Sequence, residues 1–328
     1  MTNRRRFIVS LGAALGMSPF ASRAQPAAKI RHVGYLSQGT AASNSAFLAA
    51  FKDGLREFGF VDGKNVVVDV RFVGNAAYEF PQIAASMVKA QPNAIVTTCI
   101  PSTRAAKSAT RDIPLVMSVD GDPVGAGLVA SLARPGGNLT GSSTLFEELV
   151  PKWLEFMNAA VPGTRPIATL RSQDSLVDPY WGARLEEAAQ RIGVGMLPFE
   201  ATQPADLDGA FRAMNRQGVR GLIVMTGPSF ASQIARIIQL ANQYRLPGIY
   251  GFREFAEAGG LMSYGFSFKD YYGGVARYVA AVLNGTKPAD LPVQQPTKIE
   301  LVINLDAARR LGVTLTPALL ARADRLIG

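Results

Sequence analysis

At 328 residues the chain is long enough for two domains with separate cores. Hydrophobic residues make up 48% and charged residues 18%, the balance of a soluble globular protein, and no apolar run approaches the roughly 20 residues that span a bilayer. The formal charge of +9 is scattered, with no basic stripe of the kind that binds nucleic acid.

The first residues, "MTNRRRFIVSLGAALGMSPFASRAQPAAK", place three arginines before a short apolar core, 7–17, and then a run of small residues. Ser22 and Ala24 suit the −3 and −1 positions of a signal-peptidase site, so residues 1–24 are expected to be a signal peptide cleaved near Ala24. Arg4–Arg5 followed by Arg6, Phe7 and Ile8 resembles the twin-arginine export signal, although the basic residue after the apolar pair is absent; general secretion is the alternative. Removing Arg4, Arg5, Arg6 and Arg23 with no acid lowers the charge from +9 to +5. Cys99 is the only cysteine, so neither an internal disulfide nor a lipidated cysteine at the cleavage site can form. The expected location is the periplasm.

Strand-like and helical patterns then alternate. Strands are expected at 32–37, 65–72, 94–99 and 113–119, with helices over 45–59, over 79–90 and from Ser102. The rhythm restarts with strands at 166–172, 195–201, 221–226 and 247–252, and helices over 180–192, 206–217 and 229–244. Alternation with Val- and Ile-rich strands predicts an α/β fold of two Rossmann-like doubly wound lobes with parallel sheets. Pro288, Pro292 and Pro296 keep 288–296 extended, as a connector between lobes or a surface loop, before a last strand at 299–305.

Catalytic patterns fail one by one. "GPSFA" (227–231) approaches the nucleophile elbow, but the only histidine, His32, lies before the serine and Ala231 replaces the final glycine. Ser229 reads better as a helix N-cap. "GAGLVA" (125–130) matches a dinucleotide fingerprint in form only, since "DGDP" separates it from the strand and a helix is expected to begin near Pro123. Gly63–Lys64–Asn65 lacks the hydroxyl residue of a P-loop, and one His and one Cys offer no zinc spacing. No cofactor, metal or enzymatic activity is expected. Asp120 and Asp122 follow a strand; Asp122 either caps a helix at Pro123 or one of the two meets a cationic ligand group. Small polar residues cluster at strand C-termini, in 37–40, 98–103, 118–122, 172–174 and 226–229. In open α/β sheets that edge binds ligands.

Three stretches, "YGFREFAEAGGLMSYG" (250–265), "GDPVGAGLVASLARPGGNLTG" (121–141) and "LPVQQPTKIELVINLDAARRLGVTLTPALLARAD" (291–324), closely resemble the substrate-binding proteins of ABC importers related to the tryptophan- and tyrosine-binding type. The segments 51–72 and 245–255 resemble the same family in the same order. The resemblance implies the type I periplasmic binding protein fold, two lobes joined by three crossovers that close on a ligand. It places lobe 1 at 30–162 plus 252–287 and lobe 2 at 165–248 plus 297–328, with 288–296 linking them. Tyr250 and Phe252 would then face the cleft or hinge, and 261–265 would be a first-lobe strand. A ligand carboxylate would meet Ser102 and Thr103, an ammonium would meet Asp120 or Asp122, and Ser37, Thr226 and Ser229 would complete the polar shell, with Cys99 at the same edge. The implied partners are a small-molecule ligand, an amino acid or aromatic compound, and a membrane permease with a separate ATPase. A monomer is expected. Rival readings are a ligand-sensing partner of a membrane receptor and an exported enzyme on the same scaffold.

Overall fold

The computed structural model describes residues 30–328 except 75, 145, 164, 173–177 and 297, so the expected signal segment lies outside the described residues. The chain opens with β1 (Arg31–Gln38), α1 (Ser45–Glu57), β2 (Val66–Val73), α2 (Phe80–Lys89), β3 (Ala94–Thr97), α3 (Ile100–Ala109), β4 (Leu115–Asp120) and β5 (Leu139–Thr144). These five strands form a parallel sheet in the order β2-β1-β3-β4-β5. Strand β1 is interior, and its residues from Val33 onward are buried on both faces. At the edge, β2 turns Asp69 and Arg71 outward while Val66 and Val73 are buried, and the charges discourage edge pairing with another chain.

Next come α4 (Phe146–Ala160), β6 (Ile167–Arg171), α5 (Asp178–Arg191), β7 (Met196–Glu200), α6 (Pro204–Arg216), β8 (Gly221–Val224), α7 (Pro228–Ala231), α8 (Ile234–Gln243), β9 (Gly248–Phe252), α9 (Arg253–Glu257) and β10 (Met262–Phe266). After α10 (Phe268–Leu283), the chain ends with β11 (Glu300–Asn304), α11 (Leu305–Leu311), α12 (Pro317–Leu320) and β12 (Arg325–Ile327). The second sheet has the order β12-β11-β10-β9-β8-β6-β7, parallel except where β11 runs antiparallel to β10. The chain passes between the two bodies three times: from β5 to α4, from β10 to α10, and from the segment after α10 to β11. In that last passage Gln294 pairs alongside β5, its N–H donating to Gly141 O at 3.0 Å and its carbonyl accepting from Ser143 N at 2.9 Å.

Several boundaries differ from the sequence reading. Strand β10 pairs with β9 and β11, so 262–266 belongs to the second sheet and not to the first lobe. The reason is the short α9, which returns the chain to the neighbouring position in the same sheet. Helix α4 also joins the second body: Trp153 is buried against β9 and β10 and its indole N–H donates to Tyr264 O at 2.7 Å. The first lobe therefore ends near 144, and it regains the chain at α10, which packs along α1. Residues 123–128 form successive turns and no helix, with glycines at 125 and 127 unable to sustain one. The expected helix over 229–244 is two, broken at 232–233. Strands β5 and β12 are additional.

Candidate functional site

Both sheets begin the same way. After β1 the chain places β2 on one side and then crosses to β3 on the other; after β6 it places β7 on one side and β8 on the other. Helices leave such a reversal in opposite directions, and a crevice opens beyond the strand C-termini. A cavity of about 330 Å³ lies where the two reversals face each other. Ser37 and Gln38 end β1, Thr98–Pro101 lead from β3 into α3, and Thr226–Pro228 lead from β8 into α7.

The first lobe supplies a hydrogen-bonded polar wall. Thr98 Oγ1 lies 2.8 Å from Ser37 Oγ, which lies 3.0 Å from Asn44 Oδ1. Asn44 Nδ2 donates to Gln38 O at 2.7 Å and Thr40 O at 3.1 Å. Asn44 occupies the N-cap position of α1, yet its side chain turns back onto the β1 loop instead of the helix amides. Gly39, at φ +91°, makes this turn; a Cβ there would lie 2.9 Å from Asn44 Nδ2.

The remaining wall is aromatic. Phe47 on α1 stacks on Tyr272 of α10 at 4.9 Å and meets the edge of Phe252 at 6.0 Å, so rings from both lobes touch. Phe146, Phe266 and Tyr271 continue the surface, with Phe146 4.7 Å from Phe266 and Phe266 5.1 Å from Tyr271. From the second lobe the one polar side chain among the described lining residues is Thr226, whose hydroxyl is buried without a partner. Its methyl rests over Gly251, where a Cβ would lie 2.2 Å from it.

No lining residue among those described is charged. Among the described residues there is no metal-binding group of three or more His, Cys, Asp or Glu, and no helix is long and apolar enough to cross a membrane. Just outside the cavity, Glu254 on α9 accepts from Phe268 N at the start of α10, at 2.8 Å. Burial pushes its carboxyl up to about 7, against the opposing pull of that amide and of Arg253. Arg253 joins Glu300 at 3.0 Å and reaches Asp270 of α10 at 3.5 Å, tying the second lobe to α10 at the β10–α10 passage.

Of the residues expected at the site, Ser37, Cys99, Thr226 and Phe252 line this cavity. Ser102 is fully buried as the third residue of α3, where its hydroxyl accepts from Cys99 N at 3.2 Å and so caps the helix. Thr103 faces inward to Thr97, their hydroxyls 2.7 Å apart. Asp122 is exposed and accepts from Val124 N at 2.8 Å, a local turn bond that leaves it outside the cavity. The Asp120 side chain lies outside what the structure describes. Ser229 is buried inside α7, whose N-cap is Gly227 and not Ser229. Tyr250 is buried one pleat below Phe252, its ring stacked on Phe255 at 4.7 Å, so it faces α9 and not the cleft. Sequence reasoning missed Asn44, Phe47, Phe146, Phe266, Tyr271 and Tyr272. The helical aromatics read as core residues, and nothing local set the pair Tyr271–Tyr272 apart, since neighbouring positions of a buried helix face, such as Val275 and Ala276, share one core.

Residues 41–327 match the ABC transporter substrate binding protein family, and the chain belongs to it. A tyrosine-binding protein of Clostridioides difficile (strain R20291) is 26% identical over 261 residues, 80% of this chain and 75% of the relative. Among solved structures, a conserved domain protein from Vibrio cholerae O1 biovar eltor str. N16961 superposes with a TM-score of 0.72 at 30% identity, over 91% of this chain and 100% of its own. An ABC domain from Streptococcus pneumonia in complex with L-Trp gives 0.70 at 24% identity, with the same coverage. The fold is that of type I periplasmic binding proteins, and the family is one of substrate-binding proteins rather than enzymes.

Proposed function

We propose that this ABC transporter substrate-binding protein is an exported periplasmic receptor that captures an aromatic solute between its lobes and delivers it to an importer. The observation that carries the reading is the cavity of about 330 Å³ between the two strand reversals, walled by aromatic rings of both lobes and by the Ser37–Asn44–Thr98 polar wall. That volume is at the small end of ligand pockets, which run from about 300 to 1,000 Å³, and suits one ring with a short polar arm. The tyrosine-binding relative and the L-Trp complex support aromatic amino acids as the first solutes to test. Closure is a hinge motion at the three passages, favoured because a bound ring contacts both lobes at once. The receptor acts as a monomer with a membrane permease and a separate ATPase, after cleavage near Ala24 and export by the twin-arginine route.

The test is a thermal-shift screen of the chain from Gln25 onward, stripped of co-purified solute by partial unfolding. The panel holds aromatic and branched amino acids, aromatic acids, sugars and purines. A ligand at about 100 times its dissociation constant adds about 2.7 kcal/mol, which raises the midpoint by several degrees. Shifts confined to aromatic compounds support the reading. Shifts confined to sugars or purines overturn the aromatic pocket.

A further inference from the structure

From the hydrogen-bond order of the first lobe's polar wall we infer that Thr98 is an acceptor-only contact, so that the bound solute presents a hydrogen-bond donor to it. The inference rests on the cavity being the solute site. It begins at Asn44, which is 2% exposed. Two backbone carbonyls, Gln38 O at 2.7 Å and Thr40 O at 3.1 Å, face one end of its amide. Carbonyl oxygens only accept, so that end is Nδ2 and the opposite end, toward Ser37, is Oδ1.

Ser37 is 1% exposed and has one hydroxyl proton. Asn44 Oδ1 at 3.0 Å and Gln38 O at 3.2 Å have no proton to give to Ser37 Oγ, although Gln38 O already accepts from Asn44 Nδ2. Turning the Ser37 proton toward Thr98 would leave Ser37 Oγ lone pair to lone pair with both of those oxygens. Ser37 therefore donates into the wall and accepts from Thr98 Oγ1 at 2.8 Å. The single proton of Thr98 is thereby used, and only lone pairs remain on the side of Thr98 that lines the cavity. A carboxylate there meets another lone pair; an ammonium, amine or hydroxyl meets an acceptor. The direction is set by two main-chain carbonyls, which no side-chain rotation can reverse. For an amino acid, the ammonium faces the β1–β3 reversal and the carboxylate lies elsewhere in the cavity.

Three probes share one ring and differ in the donor: L-phenylalanine and 2-phenylethylamine carry an ammonium, whereas ionised 3-phenylpropanoate has no donor. Calorimetry on the solute-stripped protein compares wild type, Thr98→Val and Thr98→Ser. The expected result is a loss of about 10-fold to 100-fold for both ammonium probes in the valine variant, no change for 3-phenylpropanoate, and recovery in the serine variant. Equal weakening of all three, or weakening of 3-phenylpropanoate alone, overturns the inference. If none of the probes binds wild type, the aromatic amino-acid reading loses its support. The Thr98 hydroxyl proton, observed by NMR in the solute-free protein, then decides the wiring. Slow exchange with cross-peaks to Ser37 supports it, and rapid exchange with bulk water overturns it.

Discussion

Replacing Glu254 by glutamine isolates the effect of one buried carboxyl on stability. One oxygen, Oε1, accepts from Phe268 N at 2.8 Å, and the other, Oε2, is buried without a partner. The side chain borders a surface groove shared with Asp53, Arg56, Glu57 and Lys269, and Arg253 and Glu257 act on it from its own helix. Burial outweighs these neighbours and raises the carboxyl from 4.5 to about 7. Below 4.5 the group is protonated in folded and unfolded chains alike, and its contribution is complete. Between 4.5 and about 7 the unfolded chain ionises while the folded chain keeps its proton, so stability falls as pH rises and levels off above. The full span corresponds to about 3 kcal/mol. Glutamine keeps an oxygen for Phe268 N and has no proton to lose. Urea unfolding at about pH 5 and about pH 8, followed by the fluorescence of Trp153 and Trp181, measures the effect. Wild type should lose about 2.5 kcal/mol more than Glu254→Gln between those conditions, since part of the span is already lost at about pH 5. Superimposable pH profiles for the two proteins would refute the argument, because the folded carboxyl would then titrate like an unfolded one.

Two further substitutions test the placement of site residues. Asp122→Ala removes the bond to Val124 N and should lower stability by about 0.5–1.5 kcal/mol, with affinity for the solute found in the screen unchanged by calorimetry; a fall in affinity would return Asp122 to the site. Gly251→Ala places a methyl 2.2 Å from the Thr226 methyl and 2.9 Å from Trp153 Cζ2. It should cost about 1–3 kcal/mol by overpacking and weaken binding as Thr226 is pushed into the cavity, and a variant matching wild type in both melting and binding would show that β9 relaxes freely.

How legible was this protein? The alternating Val- and Ile-rich runs and amphipathic helices marked the parallel sheets, because an interior strand such as β1 must be apolar on both faces. Polar strand ends such as Ser37, Cys99 and Thr226 marked the ligand edge for the same local reason: side chains there leave the sheet and cannot be absorbed by it. Sheet membership was not local. Strand β10 reads like any other strand, and its ladder with β9 and β11 follows from the short α9 that joins it. The site's other half was not local either. Phe47 and Tyr272 lie far apart in sequence on helices whose apolar faces look like ordinary core, and they stack only because α1 and α10 pack side by side. The amino-acid order alone thus determined two doubly wound lobes and where each offers its polar edge, since strand and helix periodicity are written in neighbouring residues. Which edge residues point inward, as Ser37 does, and which turn to cap a helix, as Ser102 does, was decided by tertiary structure, because a hydroxyl's partner is whatever folding brings within about 3 Å.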